Sequence, residues 1–244
     1  MSGSRMLFGV IPIYGLLIAL GVLLAAVYAA RQEARLGLPK DTAVDVVLWA
    51  VPPCIIGARL YYVAFTWERY APDPLSVLYV WEGGLAIYGG IIGGILGILL
   101  YAKLKKLPLP ALTDMVVPAV ILAQAIGRWG NFFNGEAYGN PVTDSALQFF
   151  PYAVRVGGMW YQATFFYESM WDLAGFFVLH LTRKKWRRPG SLTLLYFVFY
   201  GFGRMLIEGL RSDSLWWGPF RVSQVLSGVL AAVCGAALYL RERK

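Results

Sequence analysis

Residues 6–30 run for 25 positions without one charged side chain. At 1.5 Å per residue, a helix of that length crosses the ~30 Å hydrocarbon core of a bilayer with room for tilt. It is also too long for the apolar core of a signal peptide. Six further apolar segments of similar length follow, at about residues 44–66, 84–102, 111–132, 162–181, 191–210 and 221–240, four of them carrying ionisable groups (Asp45 and Arg59; Asp114 and Arg128; Glu168 and Asp172; Arg204 and Glu208). Composition agrees: 58% of the chain is hydrophobic and 15% charged, where a soluble domain carries about 25% charge. A soluble globular fold is excluded, and aromatics spread along the whole length exclude disorder. The expected fold is an all-α polytopic membrane protein with seven transmembrane helices. It forms a single integral membrane domain over residues 1–244, with no large extramembrane part.

The connections orient it. Short loops rich in Lys and Arg stay cytoplasmic. Arg31, Arg35 and Lys40 lie between helices 1 and 2, and Lys103, Lys105 and Lys106 between helices 3 and 4. Arg183, Lys184, Lys185, Arg187 and Arg188 lie between helices 5 and 6, with Arg241, Arg243 and Lys244 in the tail. These are fourteen of the 22 basic residues, all on alternate connections. The expected N-terminus is therefore outside and the C-terminus cytoplasmic, which requires an odd number of spans. The net charge of +8 follows from this topology rather than from nucleic-acid binding. Cys54, Cys234 and the single His180 form no metal-ligand or disulfide pattern.

Charges at membrane depth are costly and mark functional or tightly paired sites. Arg128, Glu168, Arg204 and Glu208 all fall near the outer ends of their helices, and Glu82 immediately precedes the outer start of helix 3. Asp45, Asp114 and Asp172 supply no matching inner set. A transport path needs polar groups at both depths, and no internal repeat is visible. A one-sided cluster suits an enzyme acting at the outer surface. Arg204, Glu208 and Arg211 are spaced to project from one helix face. The stripe is either a self-neutralising ladder or, with one arginine in excess, a place for a phosphate.

Two glycine-rich strings add detail. In WEGGLAIYGGIIGGILG (residues 81–97), Gly89, Gly93 and Gly97 form a small-residue ridge for close helix packing, interrupted by Tyr88. GRWGNFFNGEAYG (residues 127–139) sets Arg128, Asn131, Asn134 and Glu136 among four glycines where helix 4 leaves the membrane. Such a string can turn backbone donors and amides toward a head group. The long outer connection that follows, about residues 130–161, is expected to lie in the interface or cover a cavity.

GRWGNFFNGEAYG resembles the signature of the prolipoprotein diacylglyceryl transferase family, approximately G-R-x-G-N-F-x-N-x-E-x-x-G, at every specified position. WEGGLAIYGG, QATFFYES (residues 162–169) and GRMLIEGLRSD (residues 203–213) resemble the family's segments at helix 3, at the opening of helix 5 and at the close of helix 6. The resemblance implies a bacterial cytoplasmic-membrane enzyme with its site toward the outer leaflet. It would move the diacylglyceryl group of phosphatidylglycerol to the lipobox cysteine of preprolipoproteins, forming a thioether and releasing glycerol 1-phosphate. It implies no cofactor and no metal.

That reaction must make a thiolate from a thiol of pKa ~8.5 and stabilise a departing phosphate oxygen. By matching positions, Arg128, Asn131, Asn134 and Glu136 bind the head group, with Glu82, Glu168 and Arg211 contributing to the substrate site. Arg204 and Glu208 lie at the reacting phosphate, Arg204 stabilising the leaving group. Many family members carry His where Tyr88 stands. The base is Tyr88, or Glu208, or no single residue. A membrane transporter or channel is the competing class.

Overall fold

The computed structural model describes residues 6–7, 11–186, 188–212, 214 and 216–243. Arg187, Asp213 and Lys244, named above for topology or motif, lie outside the described residues. Seven helices of eighteen or more residues stand among the described ones. They are α1 (Ile13–Ala30), α2 (Thr42–Phe65), α3 (Ile87–Leu104), α4 (Leu109–Asn134), α5 (Thr164–Thr182), α6 (Ser191–Glu208) and α7 (Val222–Arg243). Five of them, α1 to α4 and α7, are long and apolar enough to cross a membrane. Helices α5 and α6 carry Glu168, Asp172, Arg204 and Glu208 and fall short of that apolar character.

Two helices begin later than hydropathy suggests. Residues 6–7 (β1) pair antiparallel with residues 11–12 (β2), so α1 starts at Ile13 rather than at residue 6. Gly83 and Gly84 hold φ of +87° and +72°, a left-handed conformation that glycine adopts without strain. Helix α3 therefore starts at Ile87, not at residue 84.

The chain divides into two compact units, one of Ala30–Leu112 and one combining the described parts of Met1–Ala29 and Thr113–Lys244. In the first, α2 packs on α3 through the expected glycine ridge. A Cβ on Gly89 would collide with the Gly57 carbonyl, one on Gly93 with the Pro53 carbonyl and one on Gly97 with the Trp49 carbonyl. Pro53 has no N–H to give the Trp49 carbonyl four residues back, and that carbonyl lies instead against Gly97 of the neighbouring helix. Arg59 of α2 is buried without a carboxylate among the described residues. It donates to the carbonyls of Ser76, Val77, Tyr79, Gly83 and Gly84 at 2.6 to 3.3 Å and stacks over Tyr70. One guanidinium thereby gathers the loop that precedes α3. Asp45 is used similarly, accepting from the Tyr101 hydroxyl at 2.9 Å.

In the second unit α5 packs on α6 and α6 on α7. Asp114 of α4 closes the start of α6. Its carboxylate accepts from Gly190 N at 2.7 Å, Thr193 N at 2.8 Å and Thr193 Oγ1 at 2.7 Å. The two backbone donors are otherwise orphaned at a helix N-terminus. The long connection between α4 and α5 is not irregular throughout. Residues 153–156 (β3) pair with residues 159–162 (β4), Ala153 opposite Gln162 and Val156 opposite Met159. The hairpin's base is anchored where Val154, Ala163 and Phe165 pack with Trp129, Phe132 and Tyr138. A shorter hairpin, residues 216–217 (β5) with residues 220–221 (β6), joins α6 to α7.

Candidate active site

Asp45, Arg59 and Asp114 are each engaged in holding a helix or loop. Three arginines and three carboxylates meet between α4, α5 and α6. Glu168, 4% exposed, is the hub. Its Oε2 lies 2.9 Å from Nη1 of Arg128, and its Oε1 takes Nη1 of Arg204 and, at 3.4 Å, Nη1 of Arg211. Arg204 turns its other terminal nitrogen, Nη2, to Glu208 Oε2 at 2.7 Å, and Arg128 Nε approaches Asp172 Oδ2 at 3.8 Å. Glu208 is 2% exposed.

This geometry corrects two sequence expectations. The stripe on α6 has no arginine in excess, because its surplus is met by Glu168 from α5, and the six groups balance as three cations against three anions. Asp172, expected to be an unmatched inner charge, belongs to the cluster. Helix spacing is sufficient to place it there. Asp172 stands four residues after Glu168, and Tyr200 four before Arg204, so each shares a helix face with a group already singled out.

A narrow cleft opens between these helices, lined by Arg128, Glu168, Asp172, Tyr200, Gly203 and Arg204 among others. Trp171 forms another part of its wall and donates Nε1 to the Phe199 carbonyl at 3.0 Å. Gly203 makes room for that indole, since a Cβ there would strike it. The two cleft arginines are not exhausted by their carboxylates. Arg128 Nη2 and Arg204 Nε have no hydrogen-bond partner among the described residues. A guanidinium offers five N–H donors in a planar fork, so the unspent ones can take an anion without breaking the hub.

Arg211 is delivered by backbone pairing rather than by a helix. It follows the end of α6, and its main chain bridges to Gly139 while Asn140 N donates to the Leu210 carbonyl at 3.1 Å. A Cβ on Gly139 would stand 2.7 to 2.8 Å from Gln162, Leu210 and Thr164, closer than real Cβ contacts, so glycine is required for this seam. Arg221 completes it. Its Nη1 donates to the carbonyls of Glu208 and, at 2.8 Å, Arg211, while its guanidinium lies over Trp216. Nothing in the sequence singles out Arg221, since a carbonyl-capping arginine leaves no local signature.

The other sequence candidates fall into two groups. Asn134 Nδ2 donates to Glu136 Oε1 at 3.2 Å, and Glu136 N donates to the Asn131 carbonyl at 2.9 Å, a turn at the end of α4 that leaves the Glu136 side chain exposed. The Asn131 side chain makes no hydrogen bond among the described residues. Tyr14 of α1, an aromatic without any sequence signal of its own, packs on Gly130, and the charges of Arg128 and Glu136 act on its hydroxyl. Glu82 and Tyr88 belong to the unit of α2 and α3. Both are exposed, Tyr88 at 59% with its ring 6.3 Å from that of Tyr61. His180, at the far end of α5, is hydrogen-bonded to the Tyr28 hydroxyl at 3.1 Å and takes no part in the cluster.

Comparison with known proteins places this arrangement in context. The family model described as prolipoprotein diacylglyceryl transferase matches residues 6–241. Three relatives are named phosphatidylglycerol–prolipoprotein diacylglyceryl transferase. The one from Bacillus cytotoxicus is 46% identical over 236 residues, covering 94% of this chain and 87% of the relative. That of Listeria monocytogenes is 43% identical over 237 residues, 95% of this chain and 86% of the relative. That of Halalkalibacterium halodurans is 45% identical over 232 residues, 92% and 80% respectively.

Proposed function

This chain belongs to the prolipoprotein diacylglyceryl transferase family, and on that premise we infer that it transfers the diacylglyceryl group of phosphatidylglycerol to the cysteine thiol of prolipoproteins. The relatives are bacterial and the apolar helices are those of a multi-pass membrane protein. The observation that carries the reading is the pair Arg128 and Arg204. They are held on one buried carboxylate, Glu168, and line one cleft with N–H donors to spare.

The chemistry follows from that pair. The thiol sulfur attacks the glyceryl carbon that bears the phosphate ester. A C–S bond forms as the C–O bond breaks, and the electron pair leaves on the phosphate oxygen of glycerol phosphate. Arg128 holds the phosphate in the ground state. Arg204, fixed at both terminal nitrogens by Glu168 and Glu208, presents its remaining donor to the charge that develops on the departing oxygen. Preorganised donors of this kind need no reorganisation during the reaction. Asn131, Asn134, Glu136 and Arg211 frame the head group, and Glu82 contributes from the loop before α3. The thiol proton needs an acceptor. The candidates are Glu208, Tyr88 in its phenolate form, or no single residue, the proton then passing to solvent.

In this reading α5 and α6 also cross the bilayer, giving seven spans with the N-terminus outside and the C-terminus cytoplasmic. Their burial against neighbours, rather than apolar character, is what permits the charges at that depth. The cluster then opens toward the outer leaflet, where a secreted thiol substrate arrives. The basic residues of alternate connections support this orientation.

Mass spectrometry of a lipobox peptide incubated with purified protein in phosphatidylglycerol vesicles tests the assignment. A peptide carrying one diacylglyceryl thioether, with one equivalent of glycerol phosphate released, is expected. An unmodified peptide, or one acylated through an ester, would overturn it.

A further inference from the structure

The carboxylates that face the cleft are not equally spent. Glu168 is in contact with three guanidiniums and Glu208 with one at 2.7 Å. Asp172, one turn after Glu168, is 3% exposed; its Oδ2, like Oε2 of Glu168 and of Glu208, accepts no hydrogen bond, but those two oxygens lie 2.9 and 2.7 Å from a guanidinium nitrogen. Among the described residues only Arg128 Nε comes within 4 Å of Asp172 Oδ2, at 3.8 Å, beyond hydrogen-bond reach. The Tyr200 hydroxyl, which faces the same cleft, also has no hydrogen-bond partner among the described residues. A buried carboxylate without a donor is costly, and an ionised one can only accept. It is fitted to a ligand that brings donors of its own.

Once the guanidiniums hold the phosphate of a phosphatidylglycerol, the donors left in its head group are the two glycerol hydroxyls. We propose that Asp172, through Oδ2, binds those hydroxyls, with the Tyr200 hydroxyl completing the subsite, and that this contact selects the glycerol head group over one without hydroxyls. This inference rests on phosphatidylglycerol being the donor lipid.

The test compares phosphatidylglycerol with phosphatidylpropanol, whose head group has the same three carbons and no hydroxyl, as donors to a lipobox peptide. Because hydrogen bonds to charged groups are the stronger kind, the native protein should favour phosphatidylglycerol in kcat/KM by on the order of ten- to a hundredfold. Asp172→Leu should erase that preference, lowering kcat/KM for phosphatidylglycerol more than for phosphatidylpropanol until the ratio of the two approaches one. Asp172→Asn keeps an acceptor and should retain part of the preference, so it decides the matter if the leucine variant fails to fold. Equal losses for both lipids in either variant, or no preference in the native protein, would overturn the subsite and leave Asp172 a packing residue. If the native protein modifies the peptide with neither lipid, the transferase reading falls and this inference with it.

Discussion

Oε2 of Glu168 lies 2.9 Å from Nη1 of Arg128, joining α5 to α4, while the same carboxylate takes Arg204 from α6 and Arg211 beyond it. Three guanidiniums thus depend on one buried anion. Removing one partner of a buried ion pair costs about 3–5 kcal/mol, so Glu168→Gln should destabilise the folded protein by that order. Asp172→Asn removes an anion that no cation contacts closely and should cost less than about 1 kcal/mol. Unfolding in detergent checks both; equal destabilisation would show that Asp172 is compensated as fully as Glu168.

Gly203 and Trp171 make the second relationship. A Cβ at residue 203 would collide with the indole that lines the cleft and donates to Phe199. Gly203→Ala should cost about 1–3 kcal/mol, the range of overpacked cores, and lower turnover by displacing Trp171. A variant with unchanged unfolding temperature and unchanged turnover would remove this steric constraint from the account.

Much of this architecture is legible in the amino-acid order. All seven long helices end within three residues of where the apolar run of the sequence stops. Arg128, Glu168, Arg204, Glu208 and Arg211 are legible because charges in or beside otherwise apolar segments demand a reason. Partnership is what escapes. Helix spacing pairs Arg204 with Glu208, but it gives no sign that Glu168 from another helix supplies the missing anion. The β3–β4 hairpin escapes too, its strands being four residues each and without clean alternation. Nor does sequence reveal that Arg59 is satisfied by carbonyls, since backbone acceptors carry no residue signature.

Asp114 separates stability from catalysis. Its carboxylate holds the first turn of α6, and it stands fourteen residues before Arg128 on α4, roughly 21 Å along a helix. Asp114→Ala should destabilise by about 1–2 kcal/mol, as lost N-terminal caps do, while turnover per folded molecule stays at the native value. A selective fall in turnover would connect this end of the bundle to the chemistry.

His180 and Tyr88 carry opposite expectations. His180 is bonded to Tyr28 and lies twelve residues beyond Glu168 on α5, about 18 Å away along the helix, so His180→Ala should keep near-native turnover. Tyr88→Phe should lose on the order of 10²-fold if the Tyr88 phenolate receives the thiol proton, the usual scale of general-base catalysis. Rates of peptide lipidation at saturating lipid read both, and full activity in Tyr88→Phe would remove that hydroxyl from the mechanism.

Arg204→Lys tests the centre of the account. Lysine keeps the charge, but it cannot bridge Glu168 and Glu208 through two nitrogens and still offer a third donor to the departing oxygen. With folding confirmed by detergent chromatography, the rate of glycerol phosphate release at saturating phosphatidylglycerol should fall by on the order of 10²-fold or more, nearly as far as in Arg204→Ala. Near-native release by Arg204→Lys, or recovery of Arg204→Ala by a second change of Glu208→Gln, would contradict it and leave Arg204 as a neutralising partner of its carboxylates.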